Sequence, residues 1–173
     1  AVAITVGGDS NGGDAHACAL TNVGEIWCWG RNNEGQLGDG TTTSRATPVK
    51  VSGITGALAV AAGAWQTCAV LSDSSTSCWG DPVWSYFHTT QSFVDGLSGV
   101  DGLAAGAWVS CARFATGQLR CNQTLSGNPD PTPTVSQLGT DVLDAVSVSA
   151  GYAWWCAARA TGSLNCVGSD GNG

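Results

Sequence analysis

Short apolar runs closed off by glycine recur along the chain: Ala3-Ile4-Thr5-Val6, Ala57-Leu58-Ala59-Val60-Ala61, Gly102-Leu103-Ala104-Ala105 and Val146-Ser147-Val148-Ser149. Runs this short suit buried strands, not helices. Each is followed by a segment carrying one cysteine, a turn, and a segment carrying a second. The turn centres are Asn22-Val23-Gly24, Ser72-Asp73-Ser74, Ala115-Thr116-Gly117 and Ala160-Thr161-Gly162. Three of them end on Gly, where a three-residue hairpin loop takes a left-handed residue. A fourth strand is expected over Pro48-Val49-Lys50-Val51 in the first unit and Pro131-Thr132-Pro133-Thr134-Val135 in the third. Proline there suits an outer edge strand, where its missing N–H faces no partner. Each unit thus predicts a four-stranded antiparallel meander, and the chain an all-β propeller of four such blades.

The cysteines set the period. They stand at 18, 28, 68, 78, 111, 121, 156 and 166, with nine residues between the members of each pair and successive pairs 50, 43 and 45 positions apart. Gly13, Gly63, Gly106 and Gly151 precede the first cysteine by five positions, and Ala19, Ala69, Ala112 and Ala157 follow it directly. Regular self-similarity of this length marks stacked supersecondary units. The repeats are expected at about 1–55, 56–98, 99–143 and 144–173, within one propeller domain or segment spanning 1–173. In such a hairpin, positions i and i+10 face each other within disulfide range. The pairing predicted is Cys18–Cys28, Cys68–Cys78, Cys111–Cys121 and Cys156–Cys166. Zinc would favour two close CxxC knuckles over pairs this far apart on one hairpin. Strict pairing implies an oxidising compartment.

Composition narrows the function. Apolar residues make up 43% of the 173, charged residues 11%, and the net charge is -7, with six Lys plus Arg. So few cations supply no basic stripe for nucleic acid or an anionic membrane surface, and no apolar run is long enough to span a bilayer as a helix. The chain begins at Ala1 and contains no Met, from which we expect a processed or excised piece of a longer precursor.

The segment Gly30-Arg31-Asn32-Asn33-Glu34-Gly35-Gln36-Leu37-Gly38-Asp39-Gly40-Thr41, after Cys28-Trp29-Gly30, resembles the hallmark of the regulator-of-chromosome-condensation repeat. His16-Ala17-Cys18-Ala19-Leu20 and Pro48-Val49-Lys50-Val51 fit the same repeat. The second unit keeps Cys68-Ala69-Val70 and Cys78-Trp79-Gly80 but lacks the Gly-Gln-Leu-Gly segment. The third and fourth keep mainly the Cys-Ala pair, the glycine turn and the inner strand. The resemblance implies a propeller, seven-bladed in most members, and the disulfides and acidity resemble a secreted bacterial branch whose members bind other proteins. Four blades closing into a small ring, or forming part of a larger propeller or filament, are both open at this point.

Facing pairs follow from the register: Ala17/Trp29, Thr67/Trp79, Ser110/Asn122 and Trp155/Val167. Trp29, Trp79 and Trp155 are therefore expected to pack within the blades. Trp65 and Trp108, each in Gly-Ala-Trp, and Trp154, together with Tyr152 and the aligned His16 and Gln66, form a candidate rim for binding. Aromatic side chains there could anchor a protein or stack on a sugar. Trp84 and Phe87 fall in the divergent stretch 81–94. His16 is expected to bond a backbone group. With His16 and His88 in different units and no nucleophile elbow, an enzyme is not expected, nor is any cofactor. Asp9, Asn11 and Asp14 form a weak calcium candidate without a terminal bidentate Glu, and Asn122-Gln123-Thr124 is a glycosylation sequon. The sequence reading is a secreted or cell-surface module for protein–protein interaction or extracellular self-assembly, with carbohydrate binding as the alternative.

Overall fold

The nine-residue cysteine spacing becomes the same hairpin four times over in the computed structural model, which describes residues 1–8, 15–80, 97–107, 109–123, 142–151 and 154–168. The first blade comprises β1 (Ala3–Gly7), β2 (His16–Leu20), β3 (Ile26–Gly30) and β4 (Arg45–Lys50). The second comprises β5 (Ala57–Ala62), β6 (Gln66–Leu71) and β7 (Thr76–Gly80). The third comprises β8 (Val100–Ala105), β9 (Val109–Phe114) and β10 (Leu119–Gln123). The fourth comprises β11 (Ala145–Ala150), β12 (Trp154–Arg159) and β13 (Leu164–Gly168). Each blade is an antiparallel sheet in sequence order, and among the described residues only the first has its outer strand. The proline-bearing outer strand expected over 131–135 lies outside the described residues.

Cysteine faces cysteine in all four hairpins, and the four disulfides join Cα atoms 4.1 Å apart. The loops close as three-residue turns. The residue before each loop donates its N–H to the residue after it, as in Thr21 to Glu25 and Leu71 to Ser75. Gly24, Gly117 and Gly162 take positive φ at the third loop position, and Ser74 takes it in the second blade (φ 62°) without the benefit of glycine. The carbonyl of that left-handed residue also starts the next blade: Ala57 N–H bonds Gly24 O, Val100 N–H bonds Ser74 O and Ala145 N–H bonds Gly117 O.

Alternation gives each blade two faces. The forward face carries the disulfide, and the rear face carries the alanine that follows the first cysteine. Cys18, Cys28, Leu20 and Ile26 of the first blade pack against Ala69 and Trp79 of the second. Cys68 and Val70 of the second pack with Ala112 and Leu103 of the third. Val109, Cys111, Leu119 and Cys121 of the third pack with Trp155, Ala157 and Val167 of the fourth. A side chain as small as alanine is needed opposite a bridging disulfide, which accounts for the Cys-Ala repeat.

The glycine period requires one correction. Gly63, Gly106 and Gly151 donate their N–H to Gln66, Val109 and Trp154, and the residue paired with His16 in the first blade is Gly7, not Gly13. The first blade carries a longer connection, residues 8–15, so counting back from the cysteine misplaces the glycine; Gly13 itself lies outside the described residues. These positions have no room for a side chain. A Cβ on Gly7 would run into the Gly63 carbonyl, one on Gly63 into the Gly106 carbonyl, and one on Gly106 into the Gly151 carbonyl.

Candidate functional site: the blade junctions and the uncovered faces

One position, two residues before the first cysteine, points from each blade to the next. In the first blade it is His16, whose Nε2 lies 2.7 Å from the Thr67 hydroxyl of the second blade. Thr67 in turn donates to the Gln36 carbonyl at 2.9 Å, which assigns the His16 proton to Nε2. Trp79 Nε1 donates to that same carbonyl at 3.0 Å. The hallmark loop of the first blade thus grips the rear face of the second. Asn32 holds the loop from inside: its amide donates to the carbonyls of Thr41 and Thr43, and its Oδ1 accepts the Leu37 N–H. Asp39 accepts from the Thr41 hydroxyl, and that bond, with help from Thr41 N–H and Arg45 against the cost of burial, pulls its carboxyl down to about 2.

At the next junction Gln66 Nε2 donates to the Ser110 hydroxyl at 2.7 Å. At the third, Val109 takes the place of His16 and Gln66, and Trp155 takes the place of Thr67 and Ser110; both are buried in one apolar cluster. A long polar residue over a small hydroxyl is replaced by a small apolar residue over an indole. In the fourth blade the position is Trp154, which is 54% exposed.

This corrects part of the expected rim. His16 is 1% exposed and bonds a side-chain hydroxyl, not the expected backbone group. It cannot be a rim contact, because the second blade covers it. Gln66 is half-buried and engaged in the same way. Burial pulls the His16 imidazole down to about 4, with the Glu34 charge opposing, and its Nδ1 is buried with no partner. Trp65 is half-buried in the connection before β6. Trp108, Tyr152, Asp9, Asn11, Asp14, Trp84 and Phe87 lie outside the described residues, as does the Asn122 side chain. Trp155 is fully buried, as expected of a packing residue, while Trp29 and Trp79 are half-buried.

Two blade faces carry exposed apolar side chains among the described residues. On the forward face of the fourth blade, Leu164 is 72% exposed, while Ile26 and Leu119 in the same position are each 1% exposed. Cys166 is exposed there as well, whereas Cys28 and Cys121 are buried. On the rear face of the first blade, Ile4 and Val6 are 66% and 67% exposed, while Ala62, the counterpart of Val6, is buried. Among the described residues the first and fourth blades do not cover one another. The signal was present in the repeat, but only with the direction of each face in hand could it be read.

The cations are all engaged. Arg31, Arg45, Lys50, Arg113 and Arg159 pair with Glu34, Asp39, Glu25, Asp101 and Asp144, and Arg120 lies over the Phe114 ring at 5.2 Å. Together they are all six Lys and Arg of the chain. Among the described residues no three His, Cys, Asp or Glu side chains converge as metal ligands.

Stacked antiparallel blades joined by disulfide-backed faces define a β-propeller architecture. Residues 23–70 match the regulator of chromosome condensation (RCC1) repeat. The match runs from the first hairpin turn into β6, so the sequence repeat straddles the junction that Gln36 and Thr67 hold together. The chain is 44% identical over 70 residues to the ultraviolet-B receptor UVR8 of Arabidopsis thaliana, a match covering 39% of this chain and 16% of that protein. Among solved structures it is similar to human WBSCR16 (TM-score 0.73, 19% identity), with 96% of this chain and 47% of the other covered. Prp20p of Saccharomyces cerevisiae gives a TM-score of 0.71 at 20% identity, with 96% and 45% covered. The chain thus spans about half the length of these structures and less of the curated relative.

Proposed function

We propose that the chain is a non-enzymatic protein–protein interaction module of an extracellular or other oxidising compartment. One observation carries this reading: the described residues form stacked, disulfide-braced propeller blades similar in fold to Prp20p. The engagement of all six cations in ion pairs or ring stacking supports a partner other than nucleic acid. Four disulfides support an oxidising compartment. The structure of Prp20p is described together with its binding to Gsp1p and histones, a precedent for protein partners on this fold. Trp154 occupies the position that elsewhere reaches the next blade, which favours protein over the sugar alternative.

The test is chemical crosslinking of the folded protein in the medium of its native source, with the reduced and alkylated chain as the control. A protein adduct formed by the folded protein alone is the expected result. No adduct, together with quenching of tryptophan fluorescence by soluble saccharides, would replace this reading with the carbohydrate one.

A further inference from the structure

We propose that the end of the blades carrying the three-residue turns receives a polypeptide segment that presents an apolar side chain beside a lysine or arginine. This rests on the protein-binding reading above and gives it a surface and a chemistry. At this end each hairpin turn meets the start of the next inner strand. The carbonyls of Gly24, Ser74 and Gly117 accept the N–H of Ala57, Val100 and Ala145. Directly after each bond the inner strand bulges, with register shifts between Ala57 and Ala59, Val100 and Gly102, and Ala145 and Ser147. The extra residues are Leu58, Asp101 and Val146. A bulged residue has no partner on the neighbouring strand, and the bulge re-aims its side chain. All three are exposed, Leu58 at 63%. Leu58 belongs to the second blade, which packs against the first on one side and the third on the other, so the bulge sets its exposure.

The centre of the preceding turn stands beside each bulge. The first junction places Val23, 70% exposed, and Leu58 on either side of the Gly24–Ala57 bond, an aliphatic pair open to solvent. The second places Asp73 and Asp101 on either side of the Ser74–Val100 bond. Asp101 pairs with Arg113 at 3.0 Å. Asp73 accepts the N–H and hydroxyl of Ser75 within its own turn. Glu25, Glu34, Asp39 and Asp144 each have a cation as well, so Asp73 is the one acid among the described residues left without one. An aliphatic pair at one junction and an unneutralised carboxylate at the next complement a segment with one apolar and one cationic side chain. The net charge of -7 favours the approach of such a partner over an acidic one. Neither Val23 nor Leu58 offers a ring face on which a sugar could stack.

Amide NMR of the isotope-labelled chain tests this, titrated with the synthetic peptide acetyl-Leu-Lys-Leu-Lys-amide and with its Glu-for-Lys and Ser-for-Leu counterparts. Shifts should concentrate at residues 22–24, 57–59 and 72–74 and weaken as salt is added. Asp73→Asn should weaken binding roughly two- to fivefold, the scale of an exposed ion pair, and Leu58→Ser about fivefold or more. Both positions are exposed, so the variants keep the fold, and their spectra report it directly. Thr42→Asp, exposed in the loop at the opposite end of the first blade, should leave binding unchanged. No shifts, shifts centred elsewhere, or equal binding of all three peptides would overturn the proposal. Wild-type affinity in both Leu58→Ser and Asp73→Asn would overturn it too. If the folded protein still forms a protein adduct in its native medium, the protein-binding reading stands and only this surface fails; without an adduct, both fail.

Discussion

The His16 imidazole donates from Nε2 to the Thr67 hydroxyl across 2.7 Å, one of the buried bonds that join the first blade to the second. Thr67 in turn donates a hydrogen bond to the Gln36 carbonyl, so one relay ties a strand, its neighbour in the next blade and the connecting loop. Because the relay is buried, its protonation state is tied to folding.

Acidification should weaken the fold through His16. Its folded pKa of about 4 lies below the ordinary 6.5, so the unfolded chain takes up a proton first. The stabilisation is complete above about pH 6.5 and is lost as pH falls towards 4, by about 3 kcal/mol in all. His16→Gln keeps a donor for Thr67, as Gln66 does for Ser110. Melting curves between those pH values should show a falling midpoint for the wild type and a nearly flat one for the variant. Equal slopes would remove His16 as the cause.

Trp155 and Trp154 are neighbours in sequence with opposite roles. Trp155 is fully buried between the third and fourth blades, so Trp155→Ala should cost about 3–5 kcal/mol. Trp154→Ala in the monomer should cost well under half of that. Chemical denaturation of the two variants separates them, and similar losses would contradict the face assignment.

Ser74 holds a left-handed backbone (φ 62°) at the turn position where the other three blades have glycine. Ser74→Gly should therefore stabilise the protein, by up to about 1 kcal/mol, because glycine adopts this conformation without steric cost. A shift of the denaturation midpoint upwards checks it, and a downward shift would show that the Ser74 side chain contributes more than its backbone costs.

The Cys156–Cys166 bridge should be the first to yield to a mild reductant. Cys166 is exposed, whereas Cys18, Cys28, Cys111 and Cys121 are buried, and access governs the rate of thiol attack. Alkylation and peptide mapping of dilute, partly reduced protein should find label at Cys156 and Cys166 ahead of the others.

What the sequence determined by itself was everything set by local spacing. Cysteines separated by nine residues, with a turn residue midway, leave one hairpin register, and from it follow the disulfides and all four facing pairs. Strand alternation was equally legible, because a period of two places neighbours on opposite faces. Which face meets which neighbour was not. His16, Gln66 and Trp154 align in sequence and were read together as a rim, yet two are engaged by the following blade and one is exposed. Gly13 fits the glycine period by count, but Gly7 fills the position, because chain inserted between β1 and β2 shifts sequence distance without shifting the sheet. Burial between blades depends on side chains roughly 40 to 50 residues apart being brought face to face, and on whether another blade stands beyond them. Only the tertiary structure decides that, since the repeat specifies a blade while its neighbours determine which of its faces remains open.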